Sequence, residues 1–180
     1  MNVTTTAIPG VLVIEPRVFE DSRGHFFESF NHAAFERAIG GPVAFVQDNQ
    51  SFSRPGVLRG LHYQTDRPQG KLVRAVRGTI YDVAVDIRPQ SPAFGTWVAA
   101  ELSAENRRQL WVPAGLAHGF LVLSDSAEVL YKTTDYYSPA GEKCIVWNDP
   151  TLAIAWPLSA APVVSDKDQQ GLSFAAAVPR

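Results

Sequence analysis

The sequence has little cysteine and little net charge. Cys144 is the only cysteine among 180 residues, which excludes an internal disulfide and favours a reducing compartment. A lone cysteine in an apolar segment is typically a small strand residue, and the alternative is a nucleophile. The formal net charge is -2 and the isoelectric point is near 6.1, which leaves no broad basic surface for nucleic acid. We therefore expect no nucleic-acid partner, and any bound anion requires a local basic cluster.

Long hydrophobic runs and targeting signals are also lacking. No apolar run approaches the roughly 18 residues that span a bilayer. Residues 1–10 contain neither the basic nor the apolar stretch of a signal peptide. The hydrophobic fraction of 46% is that of an ordinary globular protein. We expect no membrane partner and a cytoplasmic location.

The length predicts a single domain over residues 1–180, large enough to bury a core. A first short strand is predicted at residues 11–14. Turn residues between two aromatic β segments then place Arg23 at the tip of a loop and Glu28 on the second segment. An exposed arginine beside a glycine is most often a solvated charge, so Arg23 alone indicates no site.

Helical spacing occurs once. Asn31 is a suitable N-cap, apolar residues recur through residues 33–39, and Gly-Gly-Pro at residues 40–42 ends the segment. From residue 43 onward the pattern is β, with glycine or proline at nearly every join. The predicted strands are 43–53, 57–64, 71–76, 79–87, 96–102, 109–112, 117–123, 128–133 and 144–147. Such a series favours a sandwich, barrel or jelly roll, with an extended tail from residue 150 that packs on it.

Residues 56–76 concentrate the groups that could carry chemistry. Arg59, His62 and Lys71 combine an imidazole, which can act as a base, with two cations. Regular alternation puts Arg59 and His62 on opposite faces of a strand, so we expect an irregularity at Gly60 that turns both inward. Lys71 alternates with apolar residues, which indicates an interior ammonium. The alternative is an edge-strand lysine whose ammonium reaches water.

Other polar residues are compatible with a site in the same barrel. His118 lies in an apolar strand, and Tyr131 shares its predicted face with Val129, so each is either structural or functional. Asp82 and Asp86 share one face of a strand, which is either a surface face or a face where Asp82 pairs with a basic site residue. A metal site is the competing explanation, but no histidine or glutamate lies within a few residues of His62, as short-spaced metal motifs require.

Seven segments together carry a resemblance to a known family. They are GVLRGLHYQ at 56–64, QGKLVRAVRG at 69–78, DVAVDIRPQSPAFGTW at 82–97, PAGLAHGF at 113–120, YKTTDYYSP at 131–139, WNDP at 147–150 and SDKD at 165–168. In this order they resemble the dTDP-4-dehydrorhamnose 3,5-epimerase family over nearly the whole chain. The resemblance implies an all-β fold, a double-stranded β-helix or cupin-like jelly roll with a few short helices. It also implies a homodimer with strands contributed across the interface, and no metal or organic cofactor.

The resemblance assigns roles to particular residues. It makes His62 the general base with Asp168 as its orienting partner, Tyr131 the general acid, and Lys71 the group that stabilises an enolate oxygen. The implied substrate-binding residues are Arg23, Phe26, Glu28, Gln47, Asn49, Arg59, His118 and Tyr137. Within this set the two arginines hold the diphosphate and sugar, and Tyr137 stacks on thymine. Leu116 replaces the aromatic residue expected at its position and affects the shape of the pocket.

The implied reaction is epimerisation at C3 and C5 of dTDP-4-dehydro-6-deoxy-D-glucose to dTDP-4-dehydro-L-rhamnose. Three alternatives stay open on the sequence. One is a related enzyme that inverts only C3 or only C5 of a dTDP-4-keto-deoxysugar. The second is a non-catalytic barrel that binds nucleotide sugars, and the third is a metal-dependent barrel oxygenase.

Overall fold

The polypeptide folds mainly as short antiparallel strands. The structure, a computed structural model, describes residues 1–178. The N-terminal part contains β1 (Asn2–Thr5), β2 (Leu12–Glu15), β3 (Val18–Asp21), β4 (Gly24–Phe27) and α1 (His32–Ile39). The central strands are β5 (Gln47–Ser53), β6 (Leu58–Gln64), β7 (Lys71–Arg77), β8 (Thr79–Asp86), β9 (Trp97–Ser103), β10 (Gln109–Val112), β11 (Leu116–Val122), β12 (Ala127–Thr133) and β13 (Glu142–Cys144). Two short helices follow, α2 (Asp166–Gln169) and α3 (Phe174–Ala177).

Two large sheets face each other. One has six strands in the order β1-β2-β10-β7-β12-β5, and the other has five in the order β13-β6-β11-β8-β9. The hairpin β3-β4 stands apart as a third, two-stranded sheet. Strands adjacent in these sheets are mostly distant in sequence, as in a jelly roll. This arrangement confirms the predicted all-β class with a few short helices. No helix within residues 1–178 is long and apolar enough to cross a membrane.

The core lies between the two large sheets. Alternate residues of each strand point inward, so Val73 and Val129 from the six-stranded sheet meet Ala84 and Phe120 from the five-stranded sheet. The outer faces are covered as well. The C-terminal segment packs Phe174 on the five-stranded sheet, while α1 packs on the six-stranded sheet. Polar residues inside the barrel therefore lie in the space that the apolar side chains do not fill.

Helix α1 forms where the sequence predicts it. The Asn31 side chain accepts a hydrogen bond from the Ala34 N–H, and Gly40 ends the helix in the left-handed conformation at φ 77°. Its buried residue, Phe35, packs edge-on against Trp111 with ring centroids 5.2 Å apart. The helix thus covers the outer face of the six-stranded sheet.

Some predicted boundaries are wrong. The Thr-rich N-terminus forms β1, because Val3 pairs with Ile14 of the neighbouring strand. The strand predicted from residue 43 begins at Gln47, where pairing with β12 begins, and Glu28 lies just after β4 rather than on it. The strand predicted at 144–147 is displaced to β13. The tail is not wholly extended, since Ser165 and Ser173 cap the short helices α2 and α3.

The irregularity predicted at Gly60 is present. Opposite β11, His62 pairs with His118 but Arg59 pairs with Phe120, so the register shifts between them. Residues paired across antiparallel strands share a face, and both histidines and Arg59 therefore lie on the inner face with Phe120. Gly60 has φ 115°, and a Cβ there would lie 2.6 Å from the Cα of Gly119. Close contact of two glycine backbones produces the shift.

Candidate active site

A cleft of about 180 Å³ opens between the two sheets at one end of the barrel. Strand register explains its polar lining. Tyr131 of β12 pairs with Asn49 of β5 on one side and with Val73 of β7 on the other, so these side chains share the inner face. The lining residues are Gln47, Asn49, His62, Tyr63, Gln64, Gln69, Lys71, Tyr131, Tyr137 and Glu142.

His62 forms a dyad with Asp168. Its Nε2 lies 2.7 Å from Asp168 Oδ1, and Asp168 Oδ2 accepts a hydrogen bond of 3.1 Å from the Gly60 N–H. Asp168 is buried, and burial alone would raise its pKa. The hydrogen bonds and charge of His62 and the Gly60 hydrogen bond outweigh burial, so the pKa lies below its ordinary value. The carboxylate therefore stays charged and fixes the imidazole with Nε2–H directed at it.

Lys71 points into the same cleft. It shares the inner face with Val73 and Ala75, as the alternation predicts, and burial lowers its pKa to about 8. The negative charges of Asp82 and Glu142 oppose this shift. Within residues 1–178 we find no hydrogen bond or ion pair to its ammonium at normal contact distances. A cation in that position can interact with an anionic oxygen that enters the cleft.

Tyr131 faces His62 from the opposite sheet, since β12 belongs to the six-stranded sheet and β6 to the five-stranded one. Burial raises the pKa of its phenol, the charge of Arg59 lowers it, and Glu142 raises it further. The phenol is therefore protonated at neutral pH. Arg59 itself is held by Ser53 Oγ at 3.0 Å and by the Phe52 carbonyl at 3.2 Å.

His118 and Asp82 form a second buried pair. His118 Nε2 lies 2.8 Å from Asp82 Oδ1, while Asp82 Oδ2 has no hydrogen-bond partner in the described part of the chain. Asp82 and Asp86 are fully buried, so the interpretation of their strand face as a surface is wrong. Asp86 instead pairs with Arg88 at 2.6 Å. Neither His118 nor Asp82 is among the residues that line the cleft, although His118 shares the inner face with His62.

Tyr137 is held in the cleft lining by hydrogen bonds. Its hydroxyl donates to Glu142 Oε2 at 2.6 Å, and its N–H donates to Gln47 Oε1 at 3.1 Å. Gln47 Nε2 in turn donates to Asn49 Oδ1 at 2.8 Å. The ring of Tyr137 is about half exposed, and a planar ligand can stack on it.

Comparison with known proteins settles the family. Residues 5–176 match the family model described as dTDP-4-dehydrorhamnose 3,5-epimerase. The chain belongs to this family. Relatives of that name include the protein of Pseudomonas aeruginosa, which is 63% identical over 175 residues, covering 97% of this chain and 97% of the relative. The family identified from the seven sequence segments is therefore confirmed.

Solved structures of family members superpose closely. A dTDP-6-deoxy-D-glucose-3,5-epimerase from Legionella pneumophila, in complex with dTDP-4-keto-L-rhamnose, has a TM-score of 0.95 at 49% identity and covers 99% of this chain and 97% of that chain. A 3'-monoepimerase from Streptomyces bikiniensis, in complex with dTDP-quinovose, has a TM-score of 0.90 at 37% identity and covers 96% of this chain and 87% of that chain. The same fold therefore occurs in a 3,5-epimerase and in a 3'-monoepimerase.

Two charged residues at the epimerase-family cleft were missed in the sequence. Glu142 lines the cleft and forms an ion pair with Lys167 of α2. Burial raises the pKa of Glu142, but the hydrogen bonds from Lys167 and Tyr137 lower it more. Lys167 lies in the segment SDKD at 165–168 but was given no role. Glu142 has no local signal, because the strand β13 that carries it is only three residues long and was predicted two residues too late. Only tertiary pairing with β6 places it.

Three predicted substrate-binding residues lie away from the cleft. Arg23, Phe26 and Glu28 belong to the β3-β4 hairpin and the residue after it, and none of them lines the cavity with His62. Arg23 pairs with Asp21 at 2.6 Å, and both side chains are exposed. Phe26 is 67% exposed. Within one chain, these three residues do not reach the cleft that contains His62.

Proposed function

We propose that this chain catalyses epimerisation at C3 and C5 of dTDP-4-dehydro-6-deoxy-D-glucose. The observation that carries the proposal is the arrangement of His62 and Tyr131, which face one cleft from opposite sheets. An epimerase that inverts a carbon must remove a proton from one face and return it to the other. A base and an acid on opposite walls provide this geometry.

The ketone at C4 acidifies the hydrogens at C3 and C5, so the same base can act at each carbon in turn. Because Asp168 accepts from Nε2 of His62, the lone pair of the ring lies on Nδ1. Nδ1 takes the proton from carbon, and the electron pair of the C–H bond moves into the ketone to form an enolate. Asp168 stabilises the imidazolium that results.

The enolate oxygen is the site of new negative charge. We assign its stabilisation to Lys71, whose ammonium is poorly solvated inside the barrel and is already in place before the reaction. Tyr131 then donates its phenolic proton to the opposite face of the carbon. The positive charge of Arg59 near Tyr131 favours the phenolate that remains.

The nucleotide part of the substrate extends from the sugar cleft towards Tyr137. Its half-exposed ring is a platform for thymine, while Gln47 and Asn49 present amide groups beside it. Arg59 carries the guanidinium for the diphosphate, and His118 supports the sugar end of the cleft from behind.

We further propose a homodimer in which the β3-β4 hairpin of each protomer completes the cleft of its partner. Two exposed phenylalanines, Phe19 and Phe26, line a separate open cavity of about 350 Å³ on the hairpin. Exposed aromatic surface of this kind is typical of a protein interface. Such a dimer would bring Arg23 and Glu28 to the substrate.

Mixing two inactive variants tests the shared site. In hybrid dimers of Arg23→Ala and His62→Asn, one of the two clefts carries both substitutions and the other carries neither. After subunit exchange we therefore expect recovery of roughly a quarter of the native activity. Mixing His62→Asn with Lys71→Gln is the control, because those residues belong to the same cleft and no intact cleft forms. Equal activity of the two mixtures would contradict a shared site.

Inversion of a single carbon is the second candidate function, favoured by the close superposition with the 3'-monoepimerase from Streptomyces bikiniensis. Solvent deuterium incorporation separates the two. In D₂O we expect ¹H NMR to show loss of signal at both C3 and C5 of the substrate sugar. Incorporation at one carbon alone would refute double epimerisation, and incorporation at neither would refute the proton-transfer reaction itself.

A further inference from the structure

Behind the catalytic base lies a cluster of three metal-ligand types. Cys144 of β13 is paired in register with His62 of β6, and Asp168 of α2 reaches both. The Cys144 Sγ is 3.8 Å from Asp168 Oδ1, and one donor atom of each residue lies within 4.8 Å of the others. Three separate elements thus bring a nitrogen, a sulfur and an oxygen donor to one point.

These donors match the coordination chemistry of zinc. Zn²⁺ binds imidazole nitrogen and carboxylate oxygen at about 2.0 to 2.2 Å and thiolate sulfur at about 2.3 Å, so donors around a tetrahedral ion are about 3.3 to 3.7 Å apart. The separation of Cys144 and Asp168 is close to this value already. His62 Nε2 must move away from Asp168 Oδ1 by about half an ångström, and the donor atoms of His62 and Cys144, which lie within 4.8 Å of each other, must come to about 3.5 Å apart. The ring can do so because it is partly exposed to the cleft, while Asp168 keeps its bond from the Gly60 N–H.

We propose that His62, Cys144 and Asp168 form a binding site for a thiophilic divalent cation such as Zn²⁺, and that the bound cation inhibits the epimerase. The thiolate and the carboxylate balance the charge of the ion. Three protein ligands leave a fourth position of the tetrahedron for water, as in other zinc sites of this kind.

Inhibition follows from the imidazole itself. In the proposed reaction Nε2 carries the ring proton and Nδ1 has the lone pair. A cation on Nε2 displaces that proton, and the neutral ring then carries its single proton on Nδ1. The lone pair that would accept the proton from carbon is gone. The metal also breaks the hydrogen bond between His62 and Asp168.

Coordination requires the thiolate form of Cys144. The residue is buried beside Asp168, with Sγ 3.8 Å from Oδ1. A coordinated divalent cation displaces the thiol proton to solvent.

Cobalt spectroscopy tests the site without an activity assay. Because Cys144 is the only cysteine, a thiolate-to-Co²⁺ charge-transfer band in the native protein can arise only there. We expect the band in the native protein and in His32→Asn, which changes an exposed histidine paired with Glu36. Cys144→Ser should lack the band, and His62→Asn should need at least about 10-fold more Co²⁺ to produce it. Absence of the band in the native protein would overturn the site.

Zinc inhibition tests the consequence. We expect Zn²⁺ to lower native activity more than about 10-fold and added EDTA to restore it. Cys144→Ser should keep activity within about threefold of native, since the proposed reaction does not use the thiol, and should require about 100-fold more Zn²⁺ for half-inhibition. Equal zinc sensitivity of Cys144→Ser and native protein, or inhibition that EDTA does not reverse, would overturn the proposal.

Discussion

His62→Asn should lower kcat by about 10² to 10⁴, the usual contribution of a positioned acid or base. Asparagine can still donate a hydrogen bond to Asp168, so the change removes basicity while leaving the buried carboxylate with a partner. Deuterium incorporation at C3 and C5 should fall by the same factor as epimerisation, because both depend on proton removal. Steady-state kinetics and ¹H NMR in D₂O provide the two measurements.

Two further variants sharpen this result. His32→Asn is the matched control, since His32 lies exposed on α1 far from the dyad, and its kcat should stay within about threefold of native. Asp168→Asn should also reduce kcat strongly, because an amide no longer fixes the tautomer of the imidazole. If His62→Asn retained exchange at the native rate, the assignment of the base would be wrong.

Lys71→Gln should lower kcat/KM by about 10² to 10³, the cost of removing one preorganised donor from a developing oxyanion. The kcat/KM of the native enzyme should also depend on pH, because pH changes the charge of Lys71. Because the pKa of Lys71 is about 8, the lysine is charged below that pH and loses its charge above it. Native kcat/KM should therefore decline as the pH rises through about 8, as measured in a series of buffers at constant ionic strength.

The variant distinguishes Lys71 from other titrating groups. Lys71→Gln should have a lower kcat/KM than the native enzyme, and its kcat/KM should not show the decline near pH 8. Lys143→Gln is the matched control, because Lys143 lies exposed on β13 next to the cleft residue Glu142, and it should keep both the native rate and the native decline. An unchanged decline in Lys71→Gln would assign it to another group.

The barrel could be predicted from the sequence because strand alternation and turn residues are local patterns. Alternation located most strands, and it placed Lys71 on the inner face with Val73 and Ala75. The glycine at position 60 indicated the break in alternation that turns Arg59 and His62 to one side. Strand ends were less predictable, because they depend on which strand lies alongside.

The site required information from distant parts of the chain. No local pattern brings Asp168 to His62, since the contact depends on how the C-terminal segment packs beside β6 of the five-stranded sheet. The family resemblance indicated Asp168 but not Glu142 or Lys167, whose ion pair joins β13 to α2. Sequence also gave no sign that Cys144 is registered opposite His62. Each of these contacts arises only in the folded barrel.

The contact of Gly60 with Gly119 matters to any redesign of the cleft for another nucleotide sugar. Each backbone occupies the space where a side chain of the other would begin, with a Cβ on Gly119 only 2.5 Å from the Arg59 carbonyl. Neither position can be varied alone, and varying both makes the clash worse. A mutational library should therefore hold these two glycines fixed and randomise the amide-bearing wall at Gln47, Asn49 and Gln69. The directed evolution of new specificities then starts with the catalytic base still correctly aimed.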